Sequence, residues 1–547
     1  MTTQSAPKAG RKEWVGLAVL TVASMLVSFD VFVLLLALPH LTSDLALNST
    51  QQLWVVDIYG FMVGGFLVTM GTLGDRIGRR RLLMIGAVAF GAASVLAAFS
   101  TGPQMLIIAR ALLGVAGATL APSTLALISN MFLDPKQKGM AIGLWAGSFT
   151  LGAIIGPITG GMMLEYFWWG SVFLLAVPAM VLLLILGPLV LPEYRAPEPG
   201  RIDLVSVVLS LLMILPFVYG VKEVARIGWG PLAIAAILLG AFAGTAFVRR
   251  QLVLDDPLLD LRLFRNDQLT VALVSMLMYS MLTGTTLFYL SQFFQSVLGL
   301  SPFQAALALI PGLIAGTVSV TLAPVLARWI RPAVLIAVGL LIVSAGLLML
   351  LMVGPESGVV LPVAAFVVWC LGGGPGLALG MNLVIGGAPP EKAGSAASLP
   401  QIGNEMGTSL GIATVGTLGA FVYGTRLDDR VPSEMDSGAA TDSVAGAVAL
   451  SEELGGTLGS QLESAAQDAF TSGLHVIAVV SAVILVITAA LVLVRLRHVP
   501  PMGDEGADGS SETPEAGPAK DAVATDTSDT AQDEVDHADD TLTGRGD

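Results

Sequence analysis

The chain has 547 residues, 54% of them hydrophobic and only 12% charged, with a formal net charge of −14. A soluble chain is nearer a quarter charged, so this one has too little polar surface to stay in water. One cysteine, Cys370, and four scattered histidines, His40, His475, His498 and His537, exclude a disulfide framework and offer no ligand spacing, so no bound metal or cofactor is expected.

Apolar runs of roughly twenty residues, each enough to cross a bilayer core of about 30 Å, recur along almost the whole length. After a short polar start (1–14) they cover 15–39, 53–73, 82–100, 104–128, 140–163, 171–191, 204–223, 230–248, 268–292, 303–326, 332–353, 359–386, 396–423 and 474–495. They are too long and too uniformly apolar for barrel strands, so an all-α polytopic membrane protein with about 14 spanning helices is expected.

Lys and Arg set the orientation. Alternate loops are basic: Arg76, Arg79, Arg80 and Arg81; Lys136 and Lys138; Arg195 and Arg201; Arg249, Arg250, Arg262 and Arg265; Arg328 and Arg331; Lys392. The loops between them are read as holding only Lys222, Arg226, Arg426 and Arg430. An odd number of spanners does not fit this alternation, which puts both termini in the cytoplasm.

The acidity lies outside the spanners. Residues 424–473 hold nine acids and two bases, and are read as an extracytoplasmic loop in which Val444–Leu454 and Leu458–Phe470 form weak amphipathic helices. Residues 499–547 hold fourteen acids and two bases with almost no large apolar side chain, the composition of a disordered cytoplasmic tail. Gly-Lys occurs nowhere, so no P-loop can drive transport with ATP. No enzymatic activity and no nucleic-acid partner are expected. Without ATP, that leaves an ion gradient, facilitated diffusion or no transport at all.

Residues 71–83 read GTLGDRIGRRRLL, with Gly71, Asp75, Arg76, Gly78, Arg79 and Arg80 in the loop after the second spanner. This resembles the GxLxDRxGRR signature of the major facilitator superfamily. The resemblance implies two six-helix bundles, 15–191 and 268–495, with an inserted helix pair, 204–248, as in its fourteen-spanner branch of drug:proton antiporters. It also implies that the loop latches the two halves together and breaks as they rock. Arg110, in Arg110-Ala111-Leu112-Leu113-Gly114, resembles the family's RxxxGxxxA element, whose arginine is linked to proton transfer. Gly152, Gly156, Pro157, Gly160 and Gly161 resemble the GxxxGPxxGG element of antiporters, which favours export over import. Small residues there let helices approach and the proline can kink.

Asp30, followed by an apolar run to Ala37-Leu38-Pro39, resembles the drug-exporter motif of the first spanner, although Phe32 and Leu36 replace polar residues. Trp54-Val55-Val56-Asp57-Ile58-Tyr59 is similar to the branch that exports quaternary ammonium antiseptics and dyes.

With the span edges set aside, the acids within spanners are Asp30, Asp57 and Glu405. An arginine inside a helix needs a partner, and for Arg110 that partner is Asp57 or Asp30. A carboxyl group in an apolar span can alternate between holding a proton and facing a cation, which is antiport in its simplest form. The expectation is that Asp30 couples protons with Arg110. Asp57 and Glu405, helped by Trp54 and Tyr59, would recognise lipophilic cations. The branch's further acids in the tenth and thirteenth helices are missing here: Pro311–Thr317 has none, and Pro400 and Gln401 stand before Glu405. That weakens the expectation for divalent cations and leaves monovalent ones. The expected protein is a monomer in the bacterial plasma membrane that needs no cofactor beyond the proton gradient. The alternatives are an exporter of a self-made antibiotic, an importer and a non-transporting sensor.

Overall fold

The computed structural model describes residues 8–195, 203–254, 257, 259–387, 399–428 and 443–501. Among them, fourteen helices are long and apolar enough to cross a membrane, and the protein is a multi-pass membrane protein. The first six are α1 (Arg11–Leu45), α2 (Ser49–Ile77), α3 (Arg79–Ala98), α4 (Pro103–Met131), α5 (Pro135–Tyr166) and α6 (Ser171–Val190). Then come α7 (Leu204–Ile227) and α8 (Pro231–Val253). The last group is α9 (Asp267–Val297), α10 (Pro302–Leu326), α11 (Pro332–Met352), α12 (Val360–Gly386), α13 (Leu399–Asp428), the short α14 (Val444–Leu454) and α15 (Gly456–Arg495).

Local chemistry sets the helix starts. Proline opens α4, α5, α8, α10 and α11 at their first positions, where its missing N–H costs no hydrogen bond. Asn48 with Gln51, and Ser301 with Gln304, form reciprocal caps on α2 and α10. Gly78, at φ +111°, makes the tight turn from α2 to α3 that a side chain would strain.

The two bundles share one pairing scheme. In the first, α1 packs on α4, α5 and α6, α4 on α2 and α3, and α3 on α6. In the second, α9 packs on α12, α13 and α15, α12 on α10 and α11, and α11 on α15. Each helix thus meets the equivalents of its counterpart's neighbours. The bundles meet across two seams, α5 with α10 and α2 with α13.

The inserted pair holds together through small residues. A Cβ on Gly220 would stand 2.7 Å from the Ala233 carbonyl, and one on Gly240 2.8 Å from that of Met213. Helix α7 also packs on α2 and α13, with Phe61, Ile214, Val218 and Ala413 buried together where the three meet. At the end carrying the arginine-rich loops, here called the basic end, Asp203 caps α7 and takes two bonds from Arg250 of α8, at 3.0 and 2.9 Å.

The region read as a loop, 424–473, is largely helical. Helix α13 runs on to Asp428, and Val444–Leu454 is a helix, as expected. Leu458–Phe470 is not a separate amphipathic helix. It is the first part of the 40-residue α15, held by Leu462, Ala466, Ala469 and Phe470 buried along one stripe. Residues 429–442, and the tail from 502 onward, lie outside the described residues.

Candidate functional site

The middle of α1 and the first third of α4 hold the first buried charges. Arg110 is 1% exposed, and its Nη1 bonds Asp30 Oδ2. Its Nε donates to the Val55 carbonyl at 3.1 Å, and its guanidinium lies 4.7 Å from the centre of the Tyr59 ring. The spacing after Arg110 makes this possible. A Cβ on Gly114 would stand 2.6 Å from the Tyr59 carbonyl and one on Gly117 2.9 Å from its hydroxyl, so glycines there let α2 close on α4. Tyr59 is itself buried, 2% exposed, under the Arg110 guanidinium. Of the two partners the sequence left open for Arg110, Asp30 is the one it meets.

Asp57 faces elsewhere. Its Oδ2 accepts from Lys222 Nζ of α7 at 2.6 Å, and both side chains are buried to within 1%. The same ammonium lies 4.2 Å from the centre of the Trp54 ring. Two sequence expectations change here. Lys222 is a membrane-embedded residue inside α7, not a loop cation. Asp57 and Trp54 are engaged by it, on a face of α2 turned from the Asp30–Arg110 pair. The signal that could have found Lys222 was the 24-residue length of the apolar helix, which places it a full turn inside.

Glu405 stands at the α2–α13 seam. A Cβ on Gly60 would come 3.2 Å from the Glu405 carbonyl, and one on Gly64 2.6 Å from Met406 Sδ, which sets Glu405 level with the middle of α2. Its polar contact is neutral: Gln401 Nε2 donates to Oε1 at 3.0 Å. Among the described spanning residues, Asp30 and Asp57 have cationic partners and Glu405 has none.

Beside it is a cavity of about 390 Å³ between α9, α10, α12, α13 and α5. Tyr279, Phe366 and Trp369 give it aromatic walls, and Thr283, Thr317 and Asn404 give it polar ones. Cys370 also lines it. No group of three or more potential metal ligands exists among the described residues.

The glycine-rich signatures divide by neighbour. Cβ atoms on Gly152, Gly156 and Gly160 would strike Met25, Phe29 and Val33 of α1, so these three bring α5 onto α1. Pro157 lies inside the continuous α5. Gly161 instead faces the other bundle, where a Cβ would stand 2.8 Å from Phe303 Cα of α10. In the basic loop, Arg79 pairs with Asp75 at 2.7 Å and Arg80 with Glu193. A Cβ on Gly78 would meet Glu193, and Gly71 has open space. These partners all belong to the first bundle, so the expected latch between halves is not made by these pairs. Ser291 of α9, by contrast, donates across the bundles to the Leu35 carbonyl of α1 at 3.1 Å.

The Major Facilitator Superfamily profile matches residues 20–412. The chain is 40% identical over 499 residues, 91% of its length and 99% of the relative's, to the multidrug efflux pump LfrA of Mycolicibacterium smegmatis. It is 32% identical over 468 residues, 84% of its length and 93% of the relative's, to the methyl viologen resistance protein SmvA of Salmonella typhimurium. It is also 32% identical over 434 residues, 77% of its length and 84% of the relative's, to the puromycin resistance protein pur8 of Streptomyces alboniger. Among solved structures, a bacterial homologue of the human lysosomal transporter Spinster matches with a TM-score of 0.66, over 89% of this chain and 98% of that one. At 18% identity that likeness is one of fold.

Proposed function

The chain belongs to the Major Facilitator Superfamily, and we propose that it exports lipophilic cationic drugs, such as quaternary ammonium compounds and dyes, across the bacterial plasma membrane in exchange for protons. The observation that carries this reading is Glu405, a carboxyl group at the seam between bundles whose described partner is a neutral amide. A carboxylate there lacks a counter-charge that a lipophilic cation or a proton would supply. The drug-efflux names of the relatives support the same reading.

In this reading the basic loops and both termini face the cytoplasm, and Asp30 is the proton-coupling group. When Asp30 takes a proton, its pull on Arg110 falls, while the Val55 carbonyl and the Tyr59 ring still hold the guanidinium. A shift of α1 is passed to α5 through Gly152, Gly156 and Gly160, and from α5 to α10 through Gly161. One proton per monovalent cation makes the exchange electroneutral. Two would also draw on the membrane potential, at about 2.3 kcal/mol per charge per 100 mV.

The test is ethidium movement into proteoliposomes under an imposed pH gradient. Wild type should move the dye. Asp30→Asn should bind it without gradient-driven movement, and Glu405→Gln should lose binding. No movement by wild type under any gradient would sink the reading.

A second reading, export of a self-made neutral aromatic product, draws on the cavity. Its described lining offers Tyr279, Phe366 and Trp369 with hydroxyl groups and no carboxylate. Transport of a neutral aromatic that survives Glu405→Gln would favour it.

A further inference from the structure

The Asp57 site has the chemistry of a cation receptor that is already full. Trp54 and Asp57 lie three residues apart on α2, so an indole face and a carboxylate stand on one side of the helix. Carboxylate and indole together are what hold an alkylammonium group away from water. The occupant is Lys222, whose ammonium is 2.6 Å from Asp57 Oδ2 and 4.2 Å from the Trp54 ring centre. The second oxygen, Asp57 Oδ1, is buried without a hydrogen-bond partner among the described residues. The occupant comes from outside the two bundles, on the inserted helix α7.

We propose that Lys222 is a built-in cation that fills a second anionic subsite, so that Glu405 alone is left to neutralise a substrate and the protein selects monocations. The proposal rests on the cation-export reading above and adds the residue that sets charge selectivity. Geometry supports the two subsites acting together. Gly60, against the Glu405 backbone, is one helical turn from Asp57, about 4.5 Å along α2. A flexible dication can therefore reach both carboxylates once Lys222 loses its charge. The rival account is that the pair only anchors α7 to the first bundle.

Two probes separate them: decyltrimethylammonium, with one quaternary nitrogen, and decamethonium, with two on a chain of the same length. Binding is measured by calorimetry on the purified full chain. Wild type should show no preference for decamethonium. Lys222→Met should raise the ratio of decamethonium to decyltrimethylammonium affinity about tenfold, as one new cation–carboxylate and cation–π contact would. The double variant D57N/K222M should return it to the wild-type value.

An unchanged ratio in folded K222M overturns the proposal, and so does an equal rise in D57N/K222M. Should K222M fail to fold, Lys222→Gln keeps a hydrogen-bond donor without the charge and should give the same rise. A tenfold preference for decamethonium in wild type would by itself refute the proposal. If wild type binds neither probe, the cation-export reading fails. The Lys222 proposal then stands or falls on whether K222M acquires decamethonium binding that D57N/K222M lacks.

Discussion

Among the described residues, Asp30–Arg110 and Asp57–Lys222 are buried ion pairs, and they differ in what else holds them. Asp30–Arg110 joins α1 to α4 inside the first bundle. Its arginine has a backbone carbonyl and an aromatic face in reserve, and its aspartate keeps 12% of its side-chain surface exposed. Asp57–Lys222 joins α2 to the inserted α7, is sealed at 0% and 1%, and leaves one carboxylate oxygen unbonded. A pair with spare partners and some access can break and re-form in a cycle. A sealed pair is suited to stay closed. In the proposed export cycle the first pair is the moving part and the second the fixed one.

The largest expected difference is in transport. Neutralising both members of the first pair, D30N/R110M, should cut gradient-driven ethidium movement by roughly a hundredfold, as the proposed coupling role of Asp30 requires. D57N/K222M should keep movement of a monocation within about threefold of wild type. Equal losses in the two double variants would erase the distinction.

Stability should separate single from double variants next. Arg110→Met and Lys222→Met each strand a buried carboxylate and should cost about 3–5 kcal/mol, read from thermal unfolding in detergent. Arg110→Met should cost more, since the added Nε bond to the Val55 carbonyl goes with it. Both double variants should regain most of the loss, as buried pairs replaced together often do.

Cys370 offers a smaller but sharper readout. It is the one cysteine in the sequence and lines the cavity beside α13. Ethidium should slow its alkylation by N-ethylmaleimide severalfold in wild type and in D57N/K222M. Glu405→Gln should lose the protection. Protection that disappears in D57N/K222M instead would make Asp57 the substrate site.

The smallest effect concerns a surface pair. Arg250 beside Asp203, at the basic end of α7, holds that carboxyl down at about 2. The lowered value means the pair stabilises the fold fully above the ordinary aspartate range. Its contribution is lost as pH falls from about 4 through about 2. The difference in unfolding temperature between wild type and Asp203→Asn should therefore be flat from neutral pH down to about 5 and shrink only below about 4.

The spanning helices were legible because hydrocarbon thickness dictates run length and Lys and Arg mark alternate loops. Of the charges, Asp30, Asp57, Arg110 and Glu405 stood out as exceptions within apolar runs. What the sequence could not fix was their pairing. Asp30 and Asp57 were both open as partners of Arg110, and only the placement of α7, an insertion with no counterpart in either bundle, engages Asp57 and leaves Arg110 to Asp30. Lys222 escaped notice because a lysine near the end of an apolar run looks like a loop residue. The helix over Leu458–Phe470 was legible, but its continuity with the last spanner was not, because Gly, Ser and acidic residues surround the buried stripe of Leu462, Ala466, Ala469 and Phe470.

That last helix has a mechanical consequence. Forty residues without an interior proline make a rod about 60 Å long, twice the hydrocarbon thickness. It packs on α9, α11 and α13 of the second bundle, so whatever tilts that bundle tilts the rod. A rocking angle of about 10° would swing its far end by about 10 Å. In the proposed export cycle the rod acts as a lever arm, and a fluorophore pair spanning its far end and the first bundle should record each transport stroke.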